Sequence, residues 1–212
     1  MARTNKGPAW RLFPLAGAMA FLAGATDVYG LGYLHDLFVS FMSGNTTMLG
    51  VALGSADWAR AAMIAALIGL FVAGAAAGEV LAIVAGNWHI AAVAMATAIV
   101  LAVPVIQPGW SAEAFVIAMG ALNASVTRVG TVSVSLTYVT GSLVRFGQGL
   151  GKALCGRSGD WSWMSQAPMW LSLLTGCVLA TVMRQGLGSD TLWPLPLLAL
   201  VISVAALGFG RD

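Results

Sequence analysis

The chain has 212 residues, of which 59% are hydrophobic and only 8% charged, with a formal net charge of +2. Soluble domains carry about 25% charged residues, so this composition excludes a water-covered globule and leaves no room for a separate soluble domain. So small a charge gives no electrostatic footprint for nucleic acid either, and the predicted fold class is an all-α polytopic membrane protein.

Apolar runs mark eight helical segments, in chain order 12–33, 37–53, 61–85, 90–106, 112–127, 132–150, 169–187 and 192–208. Arg3, Lys6 and Arg11 precede or open the first and read as a topology signal that keeps the N-terminus cytoplasmic. Ala23-Gly24-Ala25 inside this segment resembles a signal-cleavage site, but the stretch has a counterpart in the second half and so belongs to the fold. The second segment is broken by Ser43-Gly44-Asn45-Thr46-Thr47. The third is a full apolar span without charge before Glu79. The sixth is broken in its turn by Tyr138-Val139-Thr140-Gly141-Ser142. The longest loop, 152–167, carries Lys152 and Arg157 and reads as cytoplasmic. The tryptophans nearly all fall at segment ends, as an aromatic belt does. Cys155 and Cys177 have neither a CxxC spacing nor a histidine partner, so no metal site or cofactor is expected.

Two halves, 12–106 and 112–209, read as a repeat within a single membrane domain, 1–212. Ser40-Phe41-Met42-Ser43-Gly44-Asn45 aligns with Thr137-Tyr138-Val139-Thr140-Gly141-Ser142 at an offset of 97, which also pairs Gly50 with Gly147 and Gly54 with Gly151. Upstream, an offset of 96 pairs Gly24-Ala25-Thr26-Asp27 with Gly120-Ala121-Leu122-Asn123. Downstream, an offset of 102 pairs Gly74 with Gly176 and Gly78 with Ala180. If all eight segments span, the repeats are parallel. If the second and sixth are re-entrant, there are six full spans and the repeats are inverted. The Lys/Arg tally on the two sides is the same either way.

Ionisable groups inside a span are expensive and point to function. Asp27 is the foremost, with Asn123 polar at the equivalent position. Polar groups at matched positions near a pseudo-two-fold axis are where repeat-built transporters place their substrates. Ser43, Gly44, Asn45 and Thr46 in one half, with Tyr138, Thr140, Gly141 and Ser142 in the other, can satisfy freed backbone groups and line a polar cavity. Arg145 stands one turn beyond Gly141 and could attract an anion; the blander reading is snorkelling beside Lys152. A structural hydrogen bond at Asp27 and close packing at the glycines are the corresponding bland readings.

These strings carry a resemblance. Ala23-Gly24-Ala25-Thr26-Asp27, Leu37-Phe38-Val39 and Met42-Ser43-Gly44-Asn45-Thr46 resemble the YoaK-like family of bacterial multi-pass membrane proteins, a domain-of-unknown-function family. So do Ala121-Leu122-Asn123 and Thr137-Tyr138-Val139-Thr140-Gly141-Ser142-Leu143, with Leu122 standing where the family usually has Gln. The resemblance covers nearly the whole chain and implies a bacterial inner-membrane location, without implying a substrate.

The expected function is a small transporter or channel for a polar or ionic solute, with its site near the membrane midplane at the repeat interface, working as a homodimer. A non-catalytic scaffold or regulatory subunit of a membrane complex is the alternative. An intramembrane enzyme ranks third: an aspartyl mechanism wants two facing carboxylates, and only Asp27 and Glu79 are at hand.

Overall fold

A computed structural model describes residues 13–126, 139–157, 159, 161–188 and 191–209. Eight α-helices are found among them: α1 (Phe13–Leu34), α2 (Met42–Gly54), α3 (Trp58–Ala85), α4 (His89–Ile106), α5 (Ser111–Val126), α6 (Val139–Leu154), α7 (Gln166–Leu187) and α8 (Pro194–Ala206). Three stretches, Phe13–Leu34, Trp58–Ile106 and Ser162–Leu187, are long and apolar enough to cross a membrane. Val72, Val80, Ile83, Val84, Ile99, Val201 and Val204 point outward and are more than half exposed, the surface of a bundle that faces lipid rather than water.

Short connections reverse the chain. α3 passes to α4 through a 3₁₀ turn that begins at Gly86, where φ is +56°, a value glycine adopts without steric cost. α4 passes to α5 through Gln107 and the turn Pro108–Trp110. Asp57 caps α3 by accepting the Arg60 N–H at 3.1 Å.

The most extensive packing is α3 on α5 and α1 on α7, followed by α4 on α8. Within the first two pairs the helices run parallel. Gly17, Gly24 and Gly32 of α1 meet Ser172, Leu173 and Arg184 of α7 in that order, and Gly74 and Gly78 of α3 meet Ile117 and Ala121 of α5. α4 and α8 run antiparallel: the Ser203 hydroxyl, near the end of α8, donates to Ala91 O, near the start of α4, at 2.8 Å. Tyr33 at the end of α1 meets Phe115 at the start of α5 edge to face, 5.8 Å between centroids, so these two are antiparallel as well. α1, α4 and α7 therefore point one way and α3, α5 and α8 the other.

Glycine makes the parallel pairs close. A Cβ added at Gly24 would overlap the Leu173 carbonyl, one at Gly176 the Phe21 carbonyl, one at Gly120 the Phe71 carbonyl and one at Gly74 the Ile117 carbonyl. Backbone approaches backbone at all four, which is how small residues pack helices in lipid. Gly50, Gly54, Gly147 and Gly151, on α2 and α6, have nothing within 4 Å of such an added atom.

Helix α2 begins later than the apolar run predicts. Residues 37–41 are not helical: Asn45 occupies both backbone groups of Phe38, and Asp27 the N–H of Ser40. At 13 residues α2 is about 20 Å long, short of a hydrocarbon core of about 30 Å.

Candidate functional site

Asp27 lies seven residues before the end of α1, about 10 Å inside it. Beyond Leu34 the chain turns at His35, whose φ of 47° is the left-handed conformation, and runs back beside α1. Val39 packs against Gly30, where any side chain would collide with it. One residue on, Ser40 is held by Asp27: its N–H donates to one carboxylate oxygen at 3.1 Å and its hydroxyl to the other. From there α2 returns toward the end from which the segment came, packed on α3.

Asn45 braces this turn from the other side. Its Oδ1 accepts the Phe38 N–H at 3.0 Å and its Nδ2 donates to Phe38 O at 2.7 Å, so one amide replaces the two backbone bonds that a helix would have given Phe38. Gly44 leaves room for the Phe38 ring, 3.3 Å from where its Cβ would sit. Thr26, Asp27, Ser40 and Asn45 are all buried. Such groups are expensive in an apolar interior unless hydrogen-bonded, and each of these is.

Helix α7 closes the cluster. The Cys177 thiol donates to Gly24 O at 3.3 Å. Arg184 donates to Val28 O at 2.8 Å, with its guanidinium 5.5 Å from the centre of the Tyr29 ring. The Tyr29 hydroxyl is buried and has no hydrogen-bond partner among the described residues. An aspartate, an unpartnered phenol and an arginine thus lie within one turn of α1.

The remaining candidates are distributed differently. Ser43 and Thr46 face outward on α2, and Thr46 bonds within its own helix, to Met42 O at 2.7 Å. Asn123 is half-buried in α5 and donates to Met119 O at 2.8 Å. On α6, Thr140 is exposed, Ser142 half-buried and Gly141 buried. Tyr138 lies outside the described residues. Arg145 belongs to a separate cavity at the far end of the bundle. A larger groove of about 730 Å³ between the N-terminal ends of α1 and α7 is lined mainly by apolar side chains such as Phe13, Phe21 and Met169, a surface suited to acyl chains.

Sequence reasoning missed two members of the cluster. Ser40 was visible as the partner of Thr137 in the repeat but drew no role. Arg184 stands three residues inside the end of α7, and nothing in the sequence sets it apart from a cation at the membrane interface.

Comparison with known proteins agrees with this picture of a membrane bundle. The model of the family described as "Protein of unknown function (DUF1275)" matches residues 15–205. The UPF0700 transmembrane protein RA0705 of Rhizobium meliloti (strain 1021) is 39% identical over 200 residues, covering 93% of this chain and 87% of that protein. No solved structure matches.

Proposed function

We propose, for a chain that belongs to the DUF1275 family of proteins of unknown function, that it is a small bacterial inner-membrane transporter or channel for a polar or ionic solute. The carrying observation is the hairpin of residues 35–54, whose tip is fastened to Asp27 inside the bundle. Non-helical backbone at membrane depth is tolerated only where protein or an aqueous path surrounds it, and broken segments of this kind form the sites of repeat-built transporters.

Two observations support inverted halves with six full spans and two re-entrant hairpins. The four close glycines fall into equivalent pairs: offsets of 96 and 102 carry the Gly24–Leu173 contact onto Gly120–Phe71 and the Phe21–Gly176 contact onto Ile117–Gly74. The antiparallel runs of α1 against α5 and α4 against α8 fit halves of opposite orientation and do not fit parallel ones. On this reading Asp27 receives a proton or cation that accompanies the solute, and Arg184 and Tyr29 flank its path. The open glycine faces of α2 and α6 meet a second copy of the chain, giving a homodimer.

Flux in proteoliposomes tests the reading. Asp27→Asn is expected to abolish uptake driven by a proton or sodium gradient across a panel of amino acids, small organic acids and inorganic ions, while the wild type moves at least one of them. Unaltered flux in Asp27→Asn and Asn45→Ala would end it.

A further inference from the structure

We infer that the cavity between the C-terminal half of α6 and residues 157, 159 and 162–166 binds a phosphate group, either free or on a lipid headgroup. It lies at the end of the bundle that holds the N-termini of α1 and α7, the opposite end from the Asp27 hairpin. Its volume is about 420 Å³, ample for a phosphodiester headgroup. Arg145, Lys152 and Arg157 line it, together with the amides of Gln148 and Gln166 and the ring of Trp163.

The charge is one-sided. No carboxylate lines the cavity among the described residues, and none of the three cations is paired with one there. Asp160, beside Gly159, lies outside the described residues. Arg145, Gln148 and Lys152 recur at helical spacing on one face of α6, the face turned to the cavity.

The wall opposite is fixed in place. A Cβ at Gly149 would overlap the Trp163 ring, so the indole lies flush on α6, and Phe146 packs edge to face on it at 5.2 Å. The indole Nε1 is buried and finds no acceptor among the described residues. Buried donors in proteins are nearly always satisfied. Two guanidinium forks, an ammonium and neutral N–H donors suit a tetrahedral oxyanion with several acceptor oxygens better than a carboxylate, which one fork satisfies. Basic clefts at the edge of a bilayer recognise phospholipid headgroups by this chemistry.

The test uses the full chain in nanodiscs. Inorganic phosphate is titrated into phosphatidylcholine discs and followed by tryptophan fluorescence against Trp163→Phe. In parallel, native mass spectrometry reads the phosphatidylglycerol retained from mixed discs. Saturable phosphate binding assigns a free anion, and selective retention of phosphatidylglycerol assigns a headgroup; either bears the proposal out. The triple variant Arg145→Gln, Lys152→Gln, Arg157→Gln should lose the response at least tenfold, and Arg145→Lys with Arg157→Lys should keep most of it. Lys152→Gln and Arg157→Gln alone, both on exposed side chains, read the same loss if the triple variant does not fold. Absence of both responses, or equal responses in wild type and charge-removed variants, overturns the assignment.

Discussion

Ser40 gives both of its hydrogen-bond donors to Asp27, the backbone N–H at 3.1 Å and the hydroxyl beside it, so a single carboxylate on α1 anchors the chain that has just left that helix. Removing either partner has a defined cost. Hydrogen bonds to charged groups contribute about 1.5–3 kcal/mol, and a buried donor left without an acceptor costs about 1–3 kcal/mol. Asp27→Ala strands two donors and is expected to destabilise by the upper part of that range. Ser40→Ala removes one bond and leaves the backbone one, so its effect should be smaller. The double variant should be no worse than Asp27→Ala, because the two residues act as one unit. Melting of the detergent-solubilised protein reads the order, and Ser40→Ala costing more than Asp27→Ala would contradict it.

The Asn45 amide serves Phe38 as both acceptor and donor. Asn45→Asp keeps the acceptor for Phe38 N–H but places an oxygen against Phe38 O, so it should destabilise at least as much as Asn45→Ala. Both should fall in a range of about 1–3 kcal/mol. Proteolysis of the 35–41 segment should rise in step in both variants; resistance equal to the wild type would mean that the amide does not hold the hairpin.

The glycines divide into two classes with different predicted behaviour. Gly24→Ala, Gly74→Ala, Gly120→Ala and Gly176→Ala each press a methyl group into an opposing carbonyl, and overpacking of this kind costs about 1–3 kcal/mol. Gly50→Ala, Gly54→Ala, Gly147→Ala and Gly151→Ala meet open space and should leave melting unchanged or slightly raised, since alanine favours the helix by about 1 kcal/mol. If those open faces seat a second copy, Gly50→Leu with Gly54→Leu should turn dimer into monomer on light scattering without lowering helix content.

Arg184 joins α7 to α1 through Val28 O and the Tyr29 ring. A half-buried arginine bonded to a carbonyl is not replaced by lysine, whose ammonium lacks the planar fork. Arg184→Lys is expected to lose about 1 kcal/mol and Arg184→Ala more, both measured by the same melting assay.

Much of this arrangement was legible in the sequence, for a physical reason. A lone carboxylate or amide in an apolar run must be satisfied by something, which singled out Asp27 and Asn45, and both are buried in one cluster. Ser43 and Thr46 adjoin Asn45 in sequence, which groups the three as one polar break. The helical turn separates them, since Asn45 and Ala52 face the core while Ser43, Thr46 and Thr47 face out. Arg145 stands one turn beyond Gly141, a spacing that fits either an anion site or snorkelling beside Lys152; α6 is packed on α7 at the other end of the bundle and carries it into the basic cavity. Helix direction is not legible in the sequence: the basic residues give the same tally for both topologies, and the antiparallel run of α4 and α8 shows only in long-range contacts such as Ser203 with Ala91.

The hairpin at residues 35–54 returns the chain to the side where α1 ends, and its relation to the loop after α6 tests that most directly. The native Cys155 is exposed in that loop, and Ser55, at the end of α2, can be made a second probe by Ser55→Cys in a Cys177→Ser background. Labelling with an impermeant maleimide in intact cells and in inverted vesicles compares the two. Inverted halves place position 55 on the outer face and Cys155 on the inner one, so each should react from a different side. Reaction of both from the cytoplasmic side would mean that α2 crosses the membrane and that the hairpin account is wrong.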